Sequence, residues 1–285
     1  MASLKDIRNR IKSVKSIQQV TSAMKMVAGA KMRKAQERME QARPYAYRIR
    51  DVIEELLPDV DRGTLDLLEV RPIERVALVV LTSDRGLAGS FNSNIIKRTL
   101  QEMESLGRER TDLFCIGKKG ADFFRKRNYR VVESHTDFWN QLNFNHAVKI
   151  GNGIVSHFLT GEVDEIRVIF NEFKNVATQI IRVERVLPLK FEPGERRAPR
   201  DRIYEPSKAA IVRSLVPRHL NVQIWRYLLE SFASEQAARM VAMENATDNA
   251  NEMIKSLQLE YNKARQNAIT KEMLEIVSGA EALKQ

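Results

Sequence analysis

The longest regular pattern of apolar and polar positions lies in residues 218–278. This segment contains neither glycine nor proline, the two strongest helix breakers, and so predicts one long helix. Its apolar and small residues recur every three or four positions, at Ala246, Ala250, Met253, Leu257, Tyr261, Ala264 and Ala268. Such a stripe buries one side of a helix against another helix. At ~1.5 Å per residue the helix would be about 90 Å long, so it needs a partner.

The first segment of the chain has a matching pattern. Ser3 is a capping hydroxyl with Asp6 three residues on, and apolar residues follow at near-helical spacing as far as Met39. A helix over residues 3–57 would be roughly 80 Å long, and Pro58 ends it. We therefore predict that the first and last helices pair as an antiparallel coiled coil. The spacings are irregular rather than strict heptads, which predicts a loose supercoil.

Short apolar runs alternate with helical patterns between these two helices. The predicted strands are residues 75–82, 111–117, 130–134, 165–173 and 178–189, and the predicted helices are 92–105, 118–127 and 144–159. This alternation is typical of a Rossmann-like α/β domain with an open, mostly parallel sheet, here ending in an antiparallel hairpin. The predicted domains are 1–58, 59–206 and 207–285. A connector at 193–206 leads to a short helix that Pro217 is expected to interrupt.

Positive charge is concentrated at the start of the chain. The 285 residues carry a net charge of +10, and residues 1–50 alone hold 13 lysines and arginines against Asp6, Glu37 and Glu40. A basic helix binds nucleic acid, an anionic membrane surface or an acidic protein surface, or simply faces solvent. Nucleic acid is the less favoured partner, because the apolar side of this helix is committed to its partner helix and leaves no aromatic platform for bases.

The amino-acid composition also indicates the cellular compartment in which the protein functions. The longest apolar run, residues 76–81, is too short to cross a bilayer, and the first residues show no signal-peptide pattern, so no transmembrane segment is expected. The single cysteine, Cys115, excludes an internal disulfide and suits a reducing compartment. It lies in an apolar run, which predicts a buried and inert thiol.

The turn at residues 83–90, after the first predicted strand, is the strongest candidate for chemistry. A strand, a glycine-bearing turn and a helix form the geometry that holds phosphates on backbone amides. Gly86 and Gly89, however, fit neither the dinucleotide motif nor the P-loop motif, and no lysine follows to reach a phosphate. A nucleotide-dependent enzyme is therefore the less favoured alternative.

Other catalytic patterns are missing from the sequence. Paired cysteines and the G-x-S-x-G nucleophile turn do not occur, and metal-ligand spacing is lacking among the histidines, which are His135, His146, His157 and His219. We expect no catalytic residue, no cofactor site and no metal site.

Three blocks of sequence resemble the gamma subunit of F-type ATP synthases. The first is SLKDIRNRI at residues 3–11 with AMKMVA at 23–28, and the second is TSDRGL at 82–87. The third is SEQAARMVAM at 234–243, continued by blocks as far as residue 280. The blocks occur in the same order and extend from one end of the chain to the other, which makes the resemblance specific.

The resemblance implies a rotor shaft that is not itself catalytic. The two terminal helices would enter a ring of alternating alpha and beta subunits, and the middle domain would lie near the epsilon subunit and the membrane c-ring. Rotation would couple ion flow through the c-ring to ATP synthesis or hydrolysis at the beta subunits. The sequence resembles the bacterial type, which implies a peripheral protein at the cytoplasmic face of the cell membrane.

The same resemblance implies roles for three sets of residues. A loop near the beta subunits would comprise Asp84, Arg85, Gly86, Leu87, Ala88 and Gly89. A basic face toward acidic loops of the beta subunits would comprise Lys5, Arg8, Lys12 and Lys15. A rotor coupling cluster would bring Met24 beside Arg239, Gln266 and Thr270.

Two departures from the family pattern limit these roles. Many members have a cysteine where this chain has Ala88, so no chemistry is assigned to that position. The chloroplast type carries an inserted pair of regulatory cysteines, and a chain with Cys115 alone lacks that thiol regulation.

Overall fold

The computed structural model describes residues 4–191 and 204–282, and most of the connector predicted at 193–206 lies outside these ranges. The helices of the described chain are α1 (Leu4–Leu56), α2 (Phe91–Leu106), α3 (Lys118–Arg125), α4 (Phe144–Leu159) and α5 (Lys208–Ala282). The strands are β1 (Val76–Leu81), β2 (Thr111–Ile116), β3 (Val131–His135), β4 (Glu165–Phe173) and β5 (Gln179–Leu187). Every strand and every helix predicted between the two terminal helices is present, with ends within two residues of the prediction.

The chain divides into two compact units. The helix-pair unit consists of Met1–Val27 and Met240–Gln285, and the sheet unit is Ala28–Arg239. These units differ from the predicted segments 1–58, 59–206 and 207–285, because the later part of α1 and the first part of α5 belong to the core of the sheet unit. Ile53 of α1 and Leu228 of α5, for example, are almost completely buried in that core.

The sheet of this second unit has five strands in the order β3-β2-β1-β4-β5. Strand β1 is parallel to both β2 and β4, β2 is parallel to β3, and β4 and β5 form an antiparallel pair. The predicted open, mostly parallel sheet with a final hairpin is therefore confirmed. Strand β1 is central and every one of its residues is buried, which explains its uninterrupted apolar run.

Helices cover both faces of the sheet. Alternate residues of β1 point to opposite faces, because side chains alternate along a strand. Ala77, Val79 and Leu81 join the larger core with α4, the end of α1 and the first part of α5. Their neighbours in β1 instead join a smaller core with α2 and α3. The first part of α5 is thus an integral layer of the α/β fold.

Cys115 belongs to the smaller core and has no exposed surface. Burial raises the pKa of its thiol to about 12, so the thiolate does not form near neutral pH. The prediction of a buried, inert thiol is confirmed.

The helix-pair unit contains the predicted antiparallel pair. Residues Val14, Ala250 and Leu257 form its small buried core, with Ile11 and Ile254 packed against them. The hydroxyls of Thr21 and Thr247 are 2.8 Å apart, and Lys25 Nζ lies 2.6 Å from Glu244 Oε1. Near the start of α1, Arg8 donates to the Tyr261 hydroxyl at 2.9 Å. Residue numbers rise along one helix as they fall along the other, so the direction and register of the pair are fixed by contacts.

The prediction that Pro217 interrupts the last helix is wrong. Helix α5 continues through Pro217 from Lys208, just as α1 continues through Pro44. A proline inside a helix removes one backbone hydrogen bond and costs about 3 kcal/mol. Pro217 itself is exposed, whereas Val216 and Leu220 beside it are buried in the core of the sheet unit. Burial of two such side chains stabilises the helix by an amount comparable to that cost.

His219 is a buried, titratable group in this part of α5, with 5% of its surface exposed. Its Nε2 lies 2.7 Å from the side-chain amide of Gln223, from which it can accept a hydrogen bond only while the ring is neutral. Burial, with smaller contributions from Arg50 and Arg226, lowers the pKa of His219 to about 4. The unfolded chain therefore binds more protons at this residue than the folded chain between pH 6.5 and 4, and the folded state loses stability as the pH falls.

We predict that His219→Leu reduces the loss of stability at acidic pH. The difference in unfolding free energy between variant and wild type should shift in favour of the variant by up to about 3 kcal/mol between roughly pH 7 and pH 4. Urea unfolding followed by circular dichroism at a series of pH values measures this difference. A difference that does not change with pH would contradict the buried neutral histidine.

Candidate functional site

The β1 loop, residues 83–90, lies at the edge of the sheet where the parallel strands end. Side-chain hydrogen bonds fix its first residues. The Ser83 amide donates to Asn92 Oδ1 at 2.9 Å, and Asn92 Nδ2 donates to Ser83 Oγ at 2.8 Å. Ser83 Oγ is also 2.6 Å from the Arg85 carbonyl. These contacts tie the loop to the first turn of α2.

Asp84 holds the other side of the β1 loop. Its carboxylate accepts hydrogen bonds from the Lys118 amide at 2.9 Å and from the Asp137 amide at 2.8 Å. Burial raises the pKa of Asp84, and the two backbone hydrogen bonds oppose that shift. The half-buried side chain therefore joins the loop to the start of α3.

Protein groups occupy the first backbone amides of α3, the helix that lies beside the β1 loop. The first three amides of α3 donate to Asp84 Oδ1, to the Ser83 carbonyl at 3.0 Å and to Thr82 Oγ1 at 2.9 Å. In addition, a Cβ atom on Gly117 would lie only 2.0 Å from the Thr82 carbonyl oxygen, so the two backbones are in close contact here. The start of α3 is an internal joint, and its donors are not directed at a ligand.

The outward part of the β1 loop is formed by Arg85, Gly86, Leu87 and Gly89, which are exposed, whereas Ala88 is buried. Leu87 has a φ of 63°, which is rare for a residue with a large side chain, and 66% of its surface is exposed. The predicted site residues of this loop thus divide into two groups. The half-buried Asp84 and the buried Ala88 hold the loop against the rest of the sheet unit, and the other four form its surface.

Arg239 connects the β1 loop to α5. One guanidinium nitrogen, Nη1, is 2.6 Å from Glu235 Oε1, and Nη2 donates to the Gly86 carbonyl at 3.1 Å. Glu235 is only 5% exposed, and burial raises its pKa while the Arg239 guanidinium opposes the shift. We call the three residues Glu235, Arg239 and Gly86 the loop clamp. A glutamate four residues before an arginine is a recognisable helix pair in the sequence, but its link to Gly86 is not visible there.

Two members of the predicted coupling cluster, Gln266 and Thr270, lie far from Met24. Met24 is next to Lys25, which contacts Glu244, whereas Gln266 and Thr270 follow Tyr261, which contacts Arg8 at the other end of the pair. In this register Met24 and Gln266 are roughly 30 Å apart along the helix axis. The prediction that Gln266 and Thr270 lie beside Met24 is therefore wrong, because an antiparallel register places them at opposite ends. The predicted neighbourhood of Met24 and Arg239 stays a prediction.

The four residues of the predicted basic face are all exposed. They differ in their surroundings, because a helical turn of about 100° per residue places Lys5 and Lys12 opposite the buried residues Ile7 and Val14. Arg8 is at the margin of the pair, where its guanidinium lies 5.8 Å from the centre of the Tyr261 ring. Lys5 and Lys12 thus point away from the partner helix.

Side chains that could ligate a metal are dispersed in the described chain. Across residues 4–191 and 204–282, no three His, Cys, Asp or Glu side chains are grouped so that they could hold a metal ion. None of the helices in those ranges has a stretch that is long and apolar enough to span a membrane.

We predict that Arg239→Gln destabilises the chain by roughly 2–4 kcal/mol at about pH 8, because it leaves the buried Glu235 carboxylate without its cation. The double variant Arg239→Gln/Glu235→Gln should recover much of the loss, since it removes the buried charge as well. Arg50→Gln is the matched control, because Arg50 pairs with Glu54 at the same spacing. The Arg50 side chain is 53% exposed, so its loss should change stability by less than about 1 kcal/mol. Chemical unfolding of the four proteins measures these differences. A double variant no more stable than Arg239→Gln would refute the charge argument.

Known proteins match this chain over its whole length. A family model described as ATP synthase matches residues 3–283. The ATP synthase gamma chain of Chloroherpeton thalassium is 50% identical over 302 residues, which cover 100% of this chain and 99% of the relative. The gamma chain of Chlorobium luteolum is 50% identical over 290 residues and both chains are covered completely.

Solved structures agree with the fold. A chain from the central stalk and c-ring structure of the Tetrahymena thermophila mitochondrial ATP synthase superposes with a TM-score of 0.62 at 27% identity, covering 80% of this chain and 99% of the other. A chain from the Euglena gracilis mitochondrial ATP synthase gives a TM-score of 0.69 at 21% identity, covering 98% and 94%. At that lower identity the likeness supports the fold alone. On the family model and the full-length relatives at half identity, this chain belongs to the family of ATP synthase gamma chains.

Proposed function

We propose that this chain is the central-stalk rotor subunit of an F-type ATP synthase. In that role it couples ion flow through the membrane c-ring to ATP synthesis or hydrolysis at the beta subunits, by rotating inside the alpha/beta ring. The observation that carries the proposal is the helix-pair unit, in which the two ends of one chain pair in antiparallel register. A pair of long helices resists twisting and bending better than one helix, which suits an element that transmits torque.

The surface of the helix-pair unit supports a surrounding partner. Near the end of α5, large apolar side chains are exposed in succession, namely Ile269, Met273, Leu274, Ile276 and Val277. A group of exposed apolar side chains of this kind favours a protein contact, because water solvates it poorly. The basic residues of α1 add a cationic surface that complements acidic loops of the beta subunits.

We further propose that the chain has no catalytic activity of its own. Its α/β domain has the strand order of nucleotide-binding folds, but the β1 loop fits neither the dinucleotide motif nor the P-loop motif. The amides at the start of the neighbouring helix α3 are bonded to Ser83, Asp84 and Thr82. Catalysis would then belong to the alpha and beta subunits. The middle domain would contact the epsilon subunit and the c-ring, and the complex would hold the chain as a peripheral protein at the cytoplasmic face of the bacterial membrane.

Assembly and turnover test this function directly. Native mass spectrometry of a mild membrane wash should find the chain together with a ring of alternating alpha and beta subunits. The purified chain alone should not hydrolyse ATP above the buffer rate, whereas the complex should. Recovery of the chain without any ring subunit would overturn the proposed role, and turnover by the chain alone would overturn its non-catalytic part.

We predict that the double variant Lys5→Glu/Lys12→Glu weakens binding of the chain to the alpha/beta ring by roughly tenfold at low salt. Both lysines point away from the partner helix, so the free energy of unfolding should change little. The difference from wild type should shrink as salt screens the charges. Titration of labelled chain into purified ring at several salt concentrations measures the affinity.

The control for this experiment is Lys97→Glu/Lys126→Glu, which changes the net charge equally through two exposed lysines of the sheet unit. Arg8 is left unchanged because it binds Tyr261 within the pair. Equal weakening by both double variants would indicate that net charge alone matters, and the acidic-partner hypothesis would then fail.

A further inference from the structure

A cluster of charged residues joins α5 to the β4–β5 hairpin in the sheet unit. Arg226 Nη2 of α5 is 2.6 Å from Glu184 Oε2 of β5, and the Tyr227 hydroxyl donates to the same oxygen at 2.9 Å. Within the hairpin, Arg182 Nε is 2.8 Å from Glu172 Oε2. The first two contacts connect α5 with β5, and the third connects β5 with β4.

Glu230 adds a third carboxylate to this cluster. Its Oε1 is 3.7 Å from Arg226 Nη1, a separation longer than a hydrogen bond, and its Oε2 is buried without a hydrogen-bond partner in the structure. Only 14% of the side chain is exposed. Arg226 therefore lies between a carboxylate on another element, Glu184, and a carboxylate one turn further along its own helix, Glu230.

Burial is the main reason why the neutral form of Glu230 is favoured. Glu172 and Glu184 are already paired with Arg182 and Arg226, and Arg43 of α1 is a further cation that acts on Glu230. Burial, followed by the opposing attraction of Arg226 and the repulsion of the two other carboxylates, raises the pKa of Glu230 to about 7. Tyr227 remains a donor throughout, because burial raises its pKa as well. His219 stays neutral in this range, since its pKa is about 4.

We propose that the proton on Glu230 controls a latch between α5 and the β4–β5 hairpin, with Arg226 as the moving part. When Glu230 is protonated, Arg226 bonds to Glu184 and holds α5 against β5. When Glu230 releases its proton to solvent, its carboxylate competes for the same guanidinium. Arg226 then turns toward Glu230 within α5, and the bond between helix and strand weakens.

The direction of the effect follows from the two pKa values. The ordinary pKa of a glutamate is near 4.5, so between that value and about 7 the folded chain holds a proton that the unfolded chain has lost. The latch is therefore complete on the acidic side and loosens as the pH rises through 7. His219 acts in the opposite sense at lower pH, so stability of the whole chain alone would not report the latch.

Hydrogen exchange of individual segments in the full-length chain tests the proposal. After correction for intrinsic exchange rates, the β5 amides of the wild type should lose protection by roughly three- to tenfold between about pH 6 and pH 8. Glu230→Gln cannot ionise and should keep its acidic-side protection at the higher pH. Glu184→Gln removes the bond across the elements and should show low protection at both pH values.

Two controls make the test decisive. Glu260→Gln changes an exposed glutamate in the helix-pair unit and should leave the pH response of β5 as in the wild type. The β1 amides report the stability of the sheet itself, so their protection should not change with pH. Equal protection of wild-type β5 at both pH values, or the same loss in Glu230→Gln as in the wild type, would overturn the latch.

Discussion

The sheet unit depends on burial of the first part of α5 against one face of the sheet. Residues from Val212 to Leu229 of this helix enter the same core as alternate residues of β1 and β4. Burial of that much apolar surface keeps the helix continuous through Pro217. It also fixes where the polar residues of α5 meet the sheet. The loop clamp and the charged cluster at Glu230 are consequences of this one packing interaction.

The β1 loop is held in place by hydrogen bonds within the protein. Strand order and turn position are those of phosphate-binding folds, in which helix N-termini hold the ligand. In this chain the first amides of the neighbouring helix α3 bind Asp84, Ser83 and Thr82, so these donors stabilise the loop. Arg85 and Leu87 lie on the exposed surface of this loop.

Charge is used differently at the surface and inside. On α1, lysines opposite the buried stripe are exposed, where they add little to stability but can steer a charged partner. In the sheet unit, Glu235 and Glu230 are largely buried, and each depends on a nearby arginine. A buried carboxylate with one firm partner, such as Glu235, supports a fixed structure. A buried carboxylate with a shared partner, such as Glu230, makes the structure sensitive to pH.

Features that repeat locally could be predicted from the amino-acid sequence, whereas contacts between distant residues could not. The helical period of α1 and α5, the apolar runs of the strands and the buried surroundings of Cys115 are properties of neighbouring residues. The three sequence blocks indicate the family for the same reason, since each is a run of adjacent residues. The pairing of the two terminal helices followed from their matching lengths and stripes.

The contacts that give the molecule its particular chemistry depend on how the folded elements are placed. The register of α1 against α5 separates Met24 from Gln266 and Thr270, although all three belong to the same helix-pair unit. The bond from Arg239 to Gly86 likewise joins residues far apart in sequence, as does the bond from Arg226 to Glu184. Periodicity specifies which face of a helix is buried but not its offset along a partner. That offset, and with it every contact between elements, is set by how the side chains of both surfaces fit together.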